Sequence, residues 1–221
     1  MAPARVDHLV VAAASLEQGV AWCEATLGAT PGPGGRHALM STHNRLLDIS
    51  SANFPACYLE IIAIDPEAPP PGRVRWFGLD EPALQAQLAR APRLVHFVAR
   101  SERLDEHRLG LAALGLDPGE PVAASRETPT GRLAWTIVLR ADGHLLCGGA
   151  LATLIAWQGV HPTARMAPSG VALRGLELRG VPAAAQALLQ VSGVPHAAGP
   201  GPALQATLAT PRGEITLHNR A

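Results

Sequence analysis

The sequence predicts an α+β protein made of repeated βαβββ modules, two full and one shortened, whose curved mixed sheets enclose a cleft. Three observations predict it. Two β-branched runs, residues 6–11 and 94–99, each lead through a polar break into an apolar-periodic stretch that ends at a glycine, Gly28 or Gly115. The two copies share their spacing, since His8 precedes Leu16 by eight positions and His96 precedes Leu104 by eight. A third copy begins at Val171, continues into a helical stretch over residues 184–191, and carries no histidine on its strand.

After the first helix, the Gly32-Pro33-Gly34-Gly35 segment reads as a loop, followed by strands over residues 37–41, 45–49 and 57–64. Pro66 to Gly72 reads as a turn, and residues 80–90 as a connecting helix with Asp80 or Glu81 near its start. The second unit continues with strands over residues 132–140, 144–147 and 150–157, and the third with strands over 203–209 and 214–218. The expected organisation is a first module over residues 1–70, a connecting segment over 71–92, a second module over 93–165 and a shortened third over 166–221, all in one structural domain.

Composition excludes whole classes of chemistry. Eighteen basic residues oppose eighteen acidic ones, and all eighteen are Arg. Without lysine there is no Schiff-base nucleophile, no pyridoxal phosphate anchor and no P-loop clamp. A balanced charge offers no counterion-displacing patch for nucleic acid. Neither a G-x-S-x-G elbow nor a G-x-G-x-x-G fingerprint occurs, so no nucleotide cofactor is expected. Cys23, Cys57 and Cys147 lack metal or disulfide spacing and read as buried thiols. The first five residues lack the apolar core of a signal peptide, and the longest apolar stretch, residues 145–157, falls short of the roughly 20 that span a bilayer. A cytoplasmic protein is expected.

Glu60 sits among apolar neighbours in Tyr58-Leu59-Glu60-Ile61-Ile62, where a carboxylate is costly to bury without a cation or a hydrogen-bond network. His8 and His96 occupy matched first-strand positions. Aligned through Pro66 and Pro162, the position equivalent to Glu60 in the second unit is Ala156. Alternation puts His8 on one face with Val6 and Val10. These groups are either ligands of one ion or core side chains, with the histidines bonded to backbone and Glu60 paired to an arginine such as Arg45.

Asp7-His8-Leu9-Val10, the stretch from Gly35 through Ser41-Thr42-His43-Asn44-Arg45 to Leu47, Tyr58-Leu59-Glu60-Ile61-Ile62, Arg75-Trp76-Phe77-Gly78-Leu79, and Ile155-Ala156-Trp157 leading to His161-Pro162 together resemble a glyoxalase-like protein of the vicinal oxygen chelate superfamily. The resemblance implies paired modules around a divalent metal, here Fe, Mn, Ni or Zn, with His8, Glu60 and His96 as ligands and Glu60 as the catalytic carboxylate. It implies lyase, isomerase or dioxygenase chemistry on a substrate with vicinal oxygens. The absence of an acid at Ala156 departs from the glyoxalase I pattern. Auxiliary acid/base groups are sought among His37, His43 and Tyr58. The pocket lining is assigned to His37, His43, Asn44 and Arg45 of the first unit and to Arg126, Trp135 and Trp157 of the second. His107, His144, His161, His196 and His218 follow no ligand spacing and read as surface or loop residues. The alternative is a non-catalytic binding or sequestering protein of the same fold. A third reading lets the shortened unit cover a sheet edge and mediate a homodimer.

Overall fold

The structure is a computed structural model that describes residues 3–128 and 131–219. Met1 and Ala2, part of the stretch read for a targeting signal, lie outside it. The first module runs β1 (Arg5–Ala12), α1 (Leu16–Leu27), β2 (Gly32–His37), β3 (Thr42–Asp48) and β4 (Tyr58–Ile64). A 3₁₀ turn (Trp76–Gly78) and α2 (Pro82–Leu88) lead to β5 (Arg93–Arg100), α3 (Leu104–Ala113), β6 (Glu120–Arg126), β7 (Leu133–Leu139) and β8 (Thr153–Gln158). The third unit is β9 (Ala172–Leu178), α4 (Ala183–Leu189), β10 (Leu204–Thr210) and β11 (Gly213–His218).

α1 starts where Ser15 Oγ accepts the Gln18 N–H at 3.2 Å, and it ends at Gly28 in the left-handed conformation. Its packing requires Gly19, because a Cβ there would lie 2.3 Å from Ile61 Cγ2 of β4.

One sheet takes eight strands in the order β2-β3-β4-β1-β5-β8-β7-β6, and β11-β10-β9 form another. The modules join through antiparallel β1 and β5, with His8 opposite Val98 and Val10 opposite His96. Within the modules, β4 lies parallel to β1 and β8 parallel to β5. One apolar cluster, with Leu9, Ile61, Phe97 and Leu154, packs the outer face against the helices and the third unit. The other, with Val10, Ile62, Trp76, Phe77, Val98, Trp135 and Ile155, lines the inner face.

Four elements differ from expectation, one of them the strand over residues 37–41, where the chain turns between β2 and β3. The Gly32–Gly35 segment is an edge strand, where a proline and glycines are tolerated because half of the backbone groups need no ladder partner. Glu120–Arg126 is the other edge strand, hidden in the sequence by Pro121 and short polar residues. Residues 144–147 form no strand; the chain turns there through a 3₁₀ segment, Leu146–Gly149. The third unit packs against the middle of the large sheet, β11 on β5 and α4 on α3, so the expected covering of a sheet edge is not its main contact. Among the described residues, no helix is long and apolar enough to cross a membrane.

Candidate functional site

The site grows out of an irregularity in β1. Val6 pairs with Ala99 and His8 with Val98, which leaves Asp7 as an extra residue in the ladder. The bulge reverses the alternation ahead of it. Val6 joins Leu9 and Val11 in the outer cluster, whereas His8 shares the inner face with Val10, so the expected grouping of Val6 with His8 does not hold. It also brings the Asp7 and His8 side chains together, and Asp7 Oδ1 accepts from His8 Nδ1 at 2.7 Å.

Asp7 is fully buried and receives two further donors from the second module, Trp157 Nε1 and His161 Nε2, each at 3.0 Å. Burial alone pushes its carboxyl up. The hydrogen bonds from His161 and His8 outweigh that and hold it well below the usual carboxylate range. With its Nδ1–H held by Asp7, His8 presents Nε2 to the pocket, 3.6 Å from Glu60 Oε2. Its ring stacks on Tyr58 at 4.5 Å. Burial raises the Tyr58 phenol well above its ordinary value, so it stays protonated and is a poor base.

Asn44 fixes the other Glu60 oxygen. Its Nδ2 donates to Glu60 Oε1 at 2.5 Å and to His37 Nε2 at 3.3 Å, while its Oδ1 accepts from the Gly35 N–H at 2.8 Å and from Arg126 at 3.1 Å. All four of its hydrogen-bonding positions are used. The hub depends on close backbone approach at Gly34, where a Cβ would lie 2.1 Å from the Asn44 carbonyl oxygen. Gly34→Ala is therefore expected to lower stability by about 1–3 kcal/mol through overpacking, read as a shifted denaturation midpoint.

His8, His37, Asn44, Tyr58, Glu60, Arg126, Trp135 and Trp157 line one small inner pocket of about 30 Å³, closed by Trp76 and Phe77. The structure thus brings most of the expected site residues together. His43 and Arg45 are corrections: on β3 they alternate with the inward Asn44, Arg45 is exposed, and His43 lies near Asp65 instead. His96 is the third. It faces inward, but its Nδ1 donates to the Gly149 carbonyl at 2.9 Å and its Nε2 accepts from the Thr153 N–H at 3.1 Å, so both ring nitrogens are committed.

The register also moves the fourth symmetric position. Val10, two residues after His8, pairs with Glu60; Val98, two residues after His96, pairs with Thr153. Thr153, not Ala156, stands where Glu60 stands in the first module. Ala156 alternates with the inward Ile155 and Trp157. With His96 engaged and one Glu60 oxygen bound to Asn44, His8, Glu60 and His96 do not converge as ligands. Among the described residues no group of three or more His, Cys, Asp or Glu side chains is arranged to hold a metal.

Asp7, Trp76, Phe77 and His161 were missed as site residues. Period-two alternation sends Asp7 to the face opposite His8, and only the bulge reverses that. His161 carries a weak signal, its place just beyond the last strand of the second module.

Burial pushes the His37 imidazole down to about 3 and that of His96 down to about 4, so both are neutral in the folded protein. In the unfolded chain each titrates near 6.5. As pH falls below that value the unfolded chain binds protons that the folded one refuses, and stability is lost until the folded values are reached. Denaturant unfolding at pH 5 is expected to give a free energy about 2–4 kcal/mol lower than at pH 7 from these two residues. His96→Gln should roughly halve the difference.

Residues 6–191 match the family described as glyoxalase-like domain. No curated protein matches the chain. Among solved structures, a hypothetical protein from Staphylococcus aureus is 13% identical, covering 80% of this chain and 70% of its own, with a TM-score of 0.54. A Streptomyces coelicolor methylmalonyl-CoA epimerase in complex with 2-nitronate-propionyl-CoA is 17% identical over 72% of this chain and 99% of its own, with a TM-score of 0.45. The epimerase from Mycobacterium tuberculosis is 15% identical over 73% and 92%, at 0.41. At these identities the likeness is one of fold.

Proposed function

Because the chain belongs to the glyoxalase-like domain family, with the vicinal oxygen chelate fold, we propose that its inner pocket is the site of lyase or isomerase chemistry on a small molecule with adjacent oxygens, carried out by His8 and Glu60. One observation carries the reading: a buried imidazole and carboxylate, 3.6 Å apart, face each other in an aromatic-walled pocket.

Glu60 Oε2, the oxygen not bonded to Asn44, accepts the proton of a carbon next to a carbonyl. Negative charge then develops on the carbonyl oxygen. Two donors in the pocket walls have no partner of their own, Trp76 Nε1 and Arg126 Nε, and these suit that charge. Asp7 keeps the Nδ1 proton on His8, so Nε2 is the position at which the imidazole gives or takes a proton. Returning the proton from Glu60 to carbon completes an isomerisation; expelling a group from the neighbouring carbon instead completes an elimination. Trp76, Phe77, Trp135 and Trp157 keep water from the intermediate charge.

The expected metal-dependent dioxygenase is not retained, because it needs the converging ligands that His96 does not supply. The non-catalytic binding reading keeps one point in its favour, the commitment of His37 and one Glu60 oxygen to Asn44. Deuterium incorporation separates the two. The protein is incubated in D₂O with short-chain 2-oxo acids and the α-proton is followed by NMR, with and without a chelator. Catalysed exchange that survives the chelator supports the reading, and binding without exchange overturns it.

A further inference from the structure

The inner pocket shares a wall with a larger cavity. Phe77 lines both, and it is 4% exposed. The outer cavity is an open cleft of about 840 Å³, with apolar wall from Leu84 of α2, Leu94 of β5, and Leu145, Pro202 and Ala203, and with Glu81, Arg93 and His144 among its polar lining. Nothing in the chemistry at His8 and Glu60 uses this space.

Phe77 holds φ at +59°, a left-handed conformation that a bulky side chain rarely adopts. Its ring stacks on Trp76 at 5.3 Å. The inner pocket is lined by Trp76 and Arg126, whose Nε1 and Nε have no hydrogen-bond partner and suit a carboxylate or other anionic oxygen. On the outer side Leu84, Leu94, Val95, Leu145, Pro202 and Ala203 supply an aliphatic stretch of a lining that also carries Glu81 and Arg93. A molecule that satisfies both has a charged, oxygen-rich end and a hydrocarbon tail.

We infer that the ligand is an amphiphilic oxo acid: its polar head lies against His8 and Glu60, its aliphatic chain passes Phe77 into the outer cavity, and Phe77 sets where the chain turns. This rests on the reading of the inner pocket as the site for an oxygen-bearing small molecule. It goes beyond that reading by giving the substrate a tail and the tail a place.

Titration calorimetry with straight-chain 2-oxo acids of four, six, eight and ten carbons tests it on the native protein and on two variants. Leu84→Arg puts a charge into the outer cavity. Ala83→Trp fills the cavity from an exposed position on α2, so it leaves the core untouched. In the native protein, affinity is expected to rise about fourfold for each methylene beyond Phe77, as apolar surface leaves water. Both variants should flatten that rise and leave the affinity of the four-carbon acid unchanged. Affinity independent of chain length in the native protein, or an equal rise in both variants, overturns the tail site. Failure of every acid to bind overturns the head-group assignment. Deuterium exchange reads the chemistry separately: long acids bound without exchange keep the tail site and lose the catalytic reading, and exchange of short acids without chain-length dependence does the reverse.

Discussion

Glu60→Gln is expected to slow deuterium incorporation by about 10²–10⁴-fold, the usual worth of a positioned general base. The amide is nearly the same size as the carboxylate, and its oxygen can still accept from Asn44 Nδ2, so the hub at Asn44, Gly35 and Arg126 stays in place. What is lost is the oxygen that faces His8 and can take a proton. Near-native thermal unfolding together with lost exchange places the effect in the chemistry. A variant that exchanges as fast as the native protein removes Glu60 from the mechanism. His8→Ala is a weaker test, because it also leaves one Asp7 oxygen without its donor.

The second large effect is structural. Asp7→Ala removes the common acceptor of His8 Nδ1, His161 Nε2 and Trp157 Nε1 from a position with no exposure at all. Breaking a buried charged cluster by taking out one partner costs about 3–5 kcal/mol, because the donors left behind cannot reach water. The native carboxylate's contribution is full above the ordinary carboxyl pKa of about 3.9 and falls away in stronger acid, since its folded value lies below the unfolded one. The deficit of the variant should therefore be complete at pH 7 and shrink only in strong acid, as denaturant titrations at several pH values would read. Asp7→Asn keeps one acceptor and should fall between the two. An alanine variant as stable as the native protein would mean that the cluster contributes nothing net.

The paired architecture could be read from the chain because the strand, helix and glycine pattern recurs with the same eight-residue spacing from histidine to helix. Glu60 stood out for a physical reason, a carboxylate among aliphatic neighbours that asks for a cation or a hydrogen-bond network, and Asn44 Nδ2 donates to it. Trp135, Trp157 and Arg126 line the inner pocket with it. Two things hid the rest. The ligand reading of His96 treated a matched position as a matched role, but the loop carbonyl of Gly149 and the Thr153 amide claim its ring, and no local pattern announces contacts across more than fifty residues. The proline landmark used to find the partner of Glu60 lies beyond β8 in a segment whose length differs between the units, so it misplaced the equivalent position by three residues, at Ala156 instead of Thr153. His43 and Arg45 followed a contiguous motif, whereas a strand shows only every second side chain to one side.

The same irregularity recurs in the second module. Val10 pairs with His96 and Val11 with Leu94, leaving Val95 as the extra residue just ahead of the histidine, as Asp7 is ahead of His8. In one half that spare position carries an acid that steers an imidazole; in the other it carries a hydrocarbon, and the imidazole has become part of the scaffold. A one-residue deletion before His8 could leave the large sheet assembled and still turn Asp7 away from its neighbour, so the chemistry tolerates less change in chain length than the architecture does.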